Sequence, residues 1–239
     1  MIVDPTIKLP VPFYRQTAEF TCGPACLMMA MKFFHPNLRL SRGLEFDIWR
    51  EANLVESYGT SKEGLALAAA RRGFEVYTMG RALRHSFVDV MRDKIPSVDN
   101  KVLELLYSDT RRKFRAMGLK HITHNIQLSS MKSILKESHV PILFTNTALF
   151  REKDDPLPHW VVITGYGEKH WYLNNPLGSS AQTKVSHKYL QDNIGYRGVR
   201  CVVVVTGRRK IKNLKPRSNH GLEPSHLERD EVGAGQASA

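Results

Sequence analysis

Three cysteines in 239 residues are too few for a disulfide framework. Long apolar runs are missing too: the longest, such as Cys201 to Val205, are strand-sized and far short of a membrane span. The opening residues Met1-Ile2-Val3-Asp4-Pro5 lack the basic and apolar regions of a signal peptide. No internal repeat is visible, which sets solenoids aside. Cys22, Cys26, His121 and His124 offer soft metal ligands, but their spacing matches no zinc pattern, so no metal or cofactor is expected. These absences place the chain among soluble cytoplasmic proteins with reduced thiols.

Acidic residues are the scarcer charge, 23 against 35 Lys and Arg, for a net charge of +12. Such an excess suits nucleic acid, an anionic surface or an acidic peptide. Part of it lies in the tail that Arg208-Arg209-Lys210-Ile211-Lys212 opens, and no recognisable nucleic-acid motif accompanies it. Non-specific tail binding is the most that nucleic acid is expected to show. Hydrophobic content of 42% with 24% charged residues is that of a globular chain able to bury a core.

The pattern changes character midway. Val11 to Tyr14 reads as an extended lead-in. Helices are expected over Cys22–Phe34, Gly43–Ala52, Lys62–Arg72 (with Gly73 as its C-cap), Ser86–Gly118 with a break at Pro96, and Ser129–Ser138. A short strand is expected over Phe74–Met79. The β-rich runs Val140–Asn146, His159–Tyr166, Trp171–Asn174 and Val199–Thr206 follow. Helices first and a mostly antiparallel sheet second make an α+β fold. From Gly207 periodicity ends, and a disordered tail is expected to Ala239.

The densest chemical signal is Gln16-Thr17-Ala18-Glu19-Phe20-Thr21-Cys22-Gly23-Pro24-Ala25-Cys26. It puts Cys22 at the mouth of a helix that Leu27-Met28-Met29-Ala30-Met31 can propagate. A helix dipole and unpaired first-turn N–H groups favour thiolate, the nucleophilic form. Cys26 lies one turn deeper and reads as core, as does Cys201 within an apolar strand.

A thiol nucleophile needs a base, and the base needs an orienting group. Among ten histidines, His159 opens the strand His159–Tyr166, and Gly167-Glu168-Lys169 turns the chain back along His170–Asn174. Asn175-Pro176 then falls beside His159, and because strand residues alternate, Asn174 and Asn175 cannot both reach the imidazole. His170 is the rival base. Each candidate also fits an inert role: Cys22 as core, His159 as a satisfied strand histidine, Gln16 as surface, Asn175 as a turn residue. Trp160, Trp171 and Tyr172 are near enough in the hairpin to line a pocket. Arg111-Arg112-Lys113-Phe114-Arg115 reads as a solvated helix face or a basic rim for acidic substrate.

Gln16, Cys22-Gly23, His159 and Asn175-Pro176 together resemble the papain-like bacteriocin-processing peptidases, which remove double-glycine leaders. The resemblance runs over about Val11 to Thr206, with its motifs at the two ends. It implies a papain-like cysteine peptidase fold, a helical half packed on an antiparallel sheet, over residues 1–206. A helical, basic insertion would occupy about 86–125, and the tail 207–239. It implies Cys22 as nucleophile, His159 as acid and base, Asn175 as orienter, and Gln16 with the Cys22 N–H as oxyanion hole. Where the family commonly has aspartate this chain has Asn175, whose amide fixes the ring but does not neutralise an imidazolium. Family members are usually fused to a transporter, and the absence of membrane segments points to a free-standing branch.

The expected function is thiol-dependent hydrolysis of a peptide or amide bond through an acyl-enzyme thioester. Its alternatives are acyl or peptidyl transfer on the same scaffold and a catalytically silent peptide-binding module. The expected partner is a peptide or protein substrate, acidic if the basic run forms a rim, with no membrane. Substrate identity and oligomeric state are not legible in the chain.

Overall fold

The helix at Cys22–Phe34 (α1) is buried at every position from Gly23 to Met31, so it is a central helix and not an amphipathic surface one. Pro24 sits in its first turn, where a missing N–H costs nothing, and His35-Pro36 ends it. A computed structural model describes residues 6–53, 59–81, 100–150 and 156–209. Around α1 stand Arg42–Ala52 (α2) and Lys62–Arg71 (α3), capped by the hydroxyls of Ser41 and Ser61. Gly73, at φ +81°, closes α3 as its sequence position suggests.

Eight strands form one sheet: Ile7–Lys8 (β1), Phe74–Arg81 (β2), Lys120–Ile122 (β3), Val140–Asn146 (β4), Pro158–Tyr166 (β5), His170–Asn174 (β6), Thr183–Ser186 (β7) and Arg200–Arg208 (β8). Their order is β3-β2-β8-β4-β5-β6-β7, with β1 beside β5. All pairings are antiparallel except β2 with β3. The remaining helices among the described residues are Asn100–Ala116 (α4), Leu128–Lys136 (α5) and His187–Asp192 (α6). The architecture is α+β, as expected.

Several details depart from the sequence reading. A strand the sequence did not signal, β1, precedes the lead-in of Val11 to Tyr14, and Leu9 N–H donates to Thr164 O at 2.7 Å. The sheet is not confined to the second half, since β2 lies inside it, next to β8. β3, β7 and α6 carry too few apolar residues to stand out by periodicity. β8 continues through Gly207 and Arg208, which pair with Glu75 and Phe74, so the structured region passes Thr206. Arg209 N–H also donates to Gly73 O at 2.8 Å. The helix expected from Ser86, its break at Pro96 and the tail from Lys210 lie outside the described residues.

The central strands set the core. β4, β5 and β8 are buried at nearly every position, so both sheet faces are covered and hydrophobic–polar alternation is lost. α1 packs on β5, β4 and β8, and α5 on β4 and β5. Among the described residues no helix is long and apolar enough to cross a membrane.

Two thiols belong to this core. Burial pushes Cys201 up to about 12 and Cys26 well above the usual thiol range. The folded state therefore holds these protons more tightly than the unfolded chain. Their contribution is complete below about pH 8.5 and is lost as pH rises through the folded values. Thermal melting across pH 8 to 11 should show the melting temperature falling above about pH 9, each thiol adding about 1.4 kcal/mol per pH unit there. The double variant Cys26→Ala, Cys201→Ala should make that decline shallower, leaving the share of Cys22.

Candidate active site

β6 pairs with β5 only from Val162, opposite Asn174, onward. The start of β5 is thus left without a strand on that side, and the N-terminus of α1 docks there. The peptide at Trp160 is bracketed by two cysteines one helical turn apart. Its N–H faces the Cys22 thiol and pulls its pKa down, and its carbonyl accepts from Cys26 Sγ at 3.3 Å. Sulfur atoms of α1 take the place a strand would otherwise fill. This brings Cys22 against the backbone one residue from His159.

His159 sits at the start of β5, opposite Thr145 of β4, and is buried. Its Nε2 lies 2.9 Å from Asn175 Oδ1. The same Oδ1 accepts from Leu177 N–H at 3.1 Å, which fixes the amide with its oxygen toward the ring. An amide oxygen only accepts, so Nε2 carries the proton and Nδ1 is the basic nitrogen. Phe150 stands edge-on to the imidazole, ring centres 6.0 Å apart. Asn174 points elsewhere, donating to Val11 O and Pro12 O at 3.1 and 3.3 Å. The alternation argument that separated the two asparagines holds.

Gln16 is buried, and its backbone N–H donates to Pro176 O at 3.0 Å, tying it beside Asn175. Its Nε2 donates to Ala18 O at 2.7 Å, which sets the amide's orientation and leaves Nε2 a second N–H. Gln16 Oε1 is buried with no hydrogen-bond partner among the described residues. Such a group costs on the order of 1–3 kcal/mol, a cost found mostly at sites with a function. The structure thus gathers Gln16, Cys22, His159 and Asn175 from opposite ends of the chain.

The electrostatics correct one expectation. The N–H groups of Trp160, Gly23 and Cys22 all pull the Cys22 thiol down, as a helix start should. Burial outweighs them and pushes it up to about 11. Cys22 keeps partial exposure at its surface, but its sulfur is enclosed by the site's walls. At neutral pH the group rests as the thiol.

Gly23 shows how tightly α1 is seated. A Cβ there would lie 2.2 Å from Thr60 Oγ1 and 3.2 Å from Trp160 Cδ1. Glycine leaves the room that Thr60 occupies against the helix start, and a Cβ would also stand in tight contact with Trp160 of β5.

Other candidates fall away from the site. His170 is exposed at the opposite end of β6, paired with Ser186, and is not the base. Trp160 and Trp171 do not line a pocket: both are core, their indole N–H groups donating to Thr60 O and His187 Nδ1. Tyr172 lies under the Lys8 ammonium. His121 is on β3, with β2, β8 and β4 between it and β5, and it bonds Thr78 Oγ1 at 2.9 Å. The run Arg111 to Arg115 is an exposed face of α4 except for Phe114, and Arg112 and Lys113 pair with Asp109. Sequence reasoning missed Glu45, which is fully buried on α2 and bonded to the segment between Gln16 and Cys22. A signal existed: Glu45, Ile48 and Ala52 share the helix's buried stripe, where a carboxylate is out of place.

Two outcomes check this geometry. The rate of Cys22 alkylation by iodoacetamide, followed by mass spectrometry from pH 6 to 10, should rise about tenfold per pH unit without a plateau near neutrality. A plateau below pH 7 would reveal a resting ion pair instead. Gly23→Ala should lower the melting temperature and slow that alkylation further, since the helix start must shift.

Against known proteins, a family model described as Peptidase_C39-like matches residues 11–194. No curated protein matches. Among solved structures, one assigned to a C39-like peptidase from Bacillus anthracis shares 14% identity and superposes with a TM-score of 0.53, over 87% of this chain and all of that one. Two others superpose too loosely to carry an argument. One is the peptidase domain of Streptococcus ComA, a bifunctional ABC transporter (17% identity, TM-score 0.45, 83% of this chain and 99% of that one). The other is a double-glycine-motif protease of an AMS/PCAT transporter, solved with its leader peptide (14%, 0.44, 84% and 98%). The first likeness shows the papain-like fold of C39 peptidases. With the family model spanning most of the sequence, the chain belongs to the Peptidase_C39-like family.

Proposed function

We propose that this protein hydrolyses a peptide or amide bond through Cys22, His159 and Asn175, by way of a thioester. The observation that carries the reading is the His159 Nε2 to Asn175 Oδ1 hydrogen bond, with the Cys22 thiol held one residue away by Trp160 N–H. It leaves Nδ1 as a base beside a thiol that burial keeps protonated.

As sulfur bonds to the substrate carbonyl carbon, the thiol proton passes to His159 Nδ1. The carbonyl oxygen gains the charge and takes hydrogen bonds from the second N–H of Gln16 Nε2 and from Cys22 N–H. The imidazolium then protonates the departing amine, and the C–N bond breaks. His159 next takes a proton from water, which attacks the thioester and frees Cys22. Asn175 steers the ring throughout. It does not neutralise it, which suits a pair that rests uncharged. The substrate proposed is a peptide or protein segment. The double-glycine leader is one substrate class among others.

Acylation by p-nitrophenyl acetate tests the site without knowledge of the substrate. Wild-type protein should carry one acetyl group on Cys22, with a burst of p-nitrophenolate absent in Cys22→Ala. His159→Ala should slow that burst by about 10²–10⁴-fold, and Gln16→Ala by about 10²-fold. Asn175→Ala should slow it less than His159→Ala does. Equal rates in wild type and Cys22→Ala would sink the proposal and favour a silent peptide-binding module. A peptide mixture analysed with and without an added amine then separates hydrolysis from transfer.

A further inference from the structure

Glu45 has no part in that mechanism, yet it is fully buried and touches the site's framework twice. Each carboxylate oxygen accepts two hydrogen bonds. Oε1 takes one from Thr17 N–H at 2.9 Å and one from Thr21 Oγ1. Oε2 takes one from Tyr14 Oη at 2.9 Å and one from Thr17 Oγ1 at 2.8 Å. Thr17 directly follows Gln16, and Thr21 directly precedes Cys22. The carboxylate therefore clasps both ends of the segment that separates the two oxyanion donors. Between those ends, Ala18 O receives Gln16 Nε2 and Thr21 N–H, at 2.7 and 3.2 Å. Position in the first turn of α2 helps hold the charge there.

Resting on the catalytic reading above, we propose that Glu45 is a positioning residue that fixes the spacing between the Gln16 amide and the Cys22 N–H, and so sets oxyanion stabilisation. A segment of this length, exposed at Thr17 and Glu19, has no regular secondary structure to hold its ends apart. Four bonds to one charged group supply the rigidity, and bonds to an ion are about twice as strong as neutral ones. A purely scaffolding role for Glu45 would need contact with the fold at large. Three of the four bonds go to the donor-bearing segment, from Thr17 and Thr21, and the fourth comes from Tyr14 just before it.

Two reactions of Cys22 separate the roles. Acylation by p-nitrophenyl acetate passes through an oxyanion, whereas alkylation by iodoacetamide expels iodide from a saturated carbon and forms none. Glu45→Gln loses the charge and turns one acceptor into a donor facing donors. Its Cys22-dependent acylation should fall about tenfold or more, with alkylation within about twofold of wild type. In a Gln16→Ala background the same substitution should cost no more than about threefold, because the spacing no longer has a second donor to serve. Should Glu45→Gln fail to fold, Thr21→Val and Thr21→Ser make the same comparison, the serine retaining acylation and the valine losing it. Parallel loss of acylation and alkylation, unchanged acylation, or an undiminished effect without Gln16 would each overturn the proposal while the catalytic reading stands. If Gln16→Ala leaves acylation untouched, or wild-type Cys22 is not acylated, the catalytic reading falls and this inference with it.

Discussion

The early end of the β5–β6 ladder is the constraint from which the site follows. Because β6 meets β5 only from Val162, the peptide at Trp160 would present a bare N–H and C=O inside the protein. Buried backbone groups must be paired. Here Cys26 Sγ donates to the carbonyl, and the N–H faces the Cys22 thiol one turn earlier on α1. The helix start and the base-bearing strand are therefore joined by the need to satisfy one peptide unit. Gly23 permits the approach, and the methionine-rich body of α1 supplies the burial that holds it.

The second fastening runs through the N-terminal segment. Asn174 binds the carbonyls of Val11 and Pro12, Pro176 O binds Gln16 N–H, and Glu45 clasps Thr17 and Thr21. The end of β6 thus orders the lead-in and, through Asn175, the imidazole. Adjacent asparagines divide the work because their side chains leave the strand on opposite sides. One is structural; the other faces the base.

This enclosure has an electrostatic consequence. A helix start was expected to make Cys22 a thiolate, and the N–H groups that would do so are present. The same packing that aims them removes water from the sulfur, and the loss of solvation is larger. The thiol faces an imidazole whose ring is oriented by an amide in place of a carboxylate.

The sequence by itself determined the helix start at Cys22, the strand opening at His159, the Asn175-Pro176 turn and the α+β class, because caps, alternation and turns are local. It also separated Cys22 from Cys26 by their depth along one helix. Tertiary structure decided what those local rules cannot carry. It placed β2 inside the sheet, put Trp160 and Trp171 in the core, and sent His170 to the far end of β6. Burial from both sides erased the alternation that would have marked exposed faces. It raised the Cys22 thiol, since desolvation depends on what packs around a group and not on its neighbours in sequence. And it brought Glu45 under the Gln16–Cys22 segment, a contact between residues up to 28 positions apart that only the docking of α2 against α1 creates.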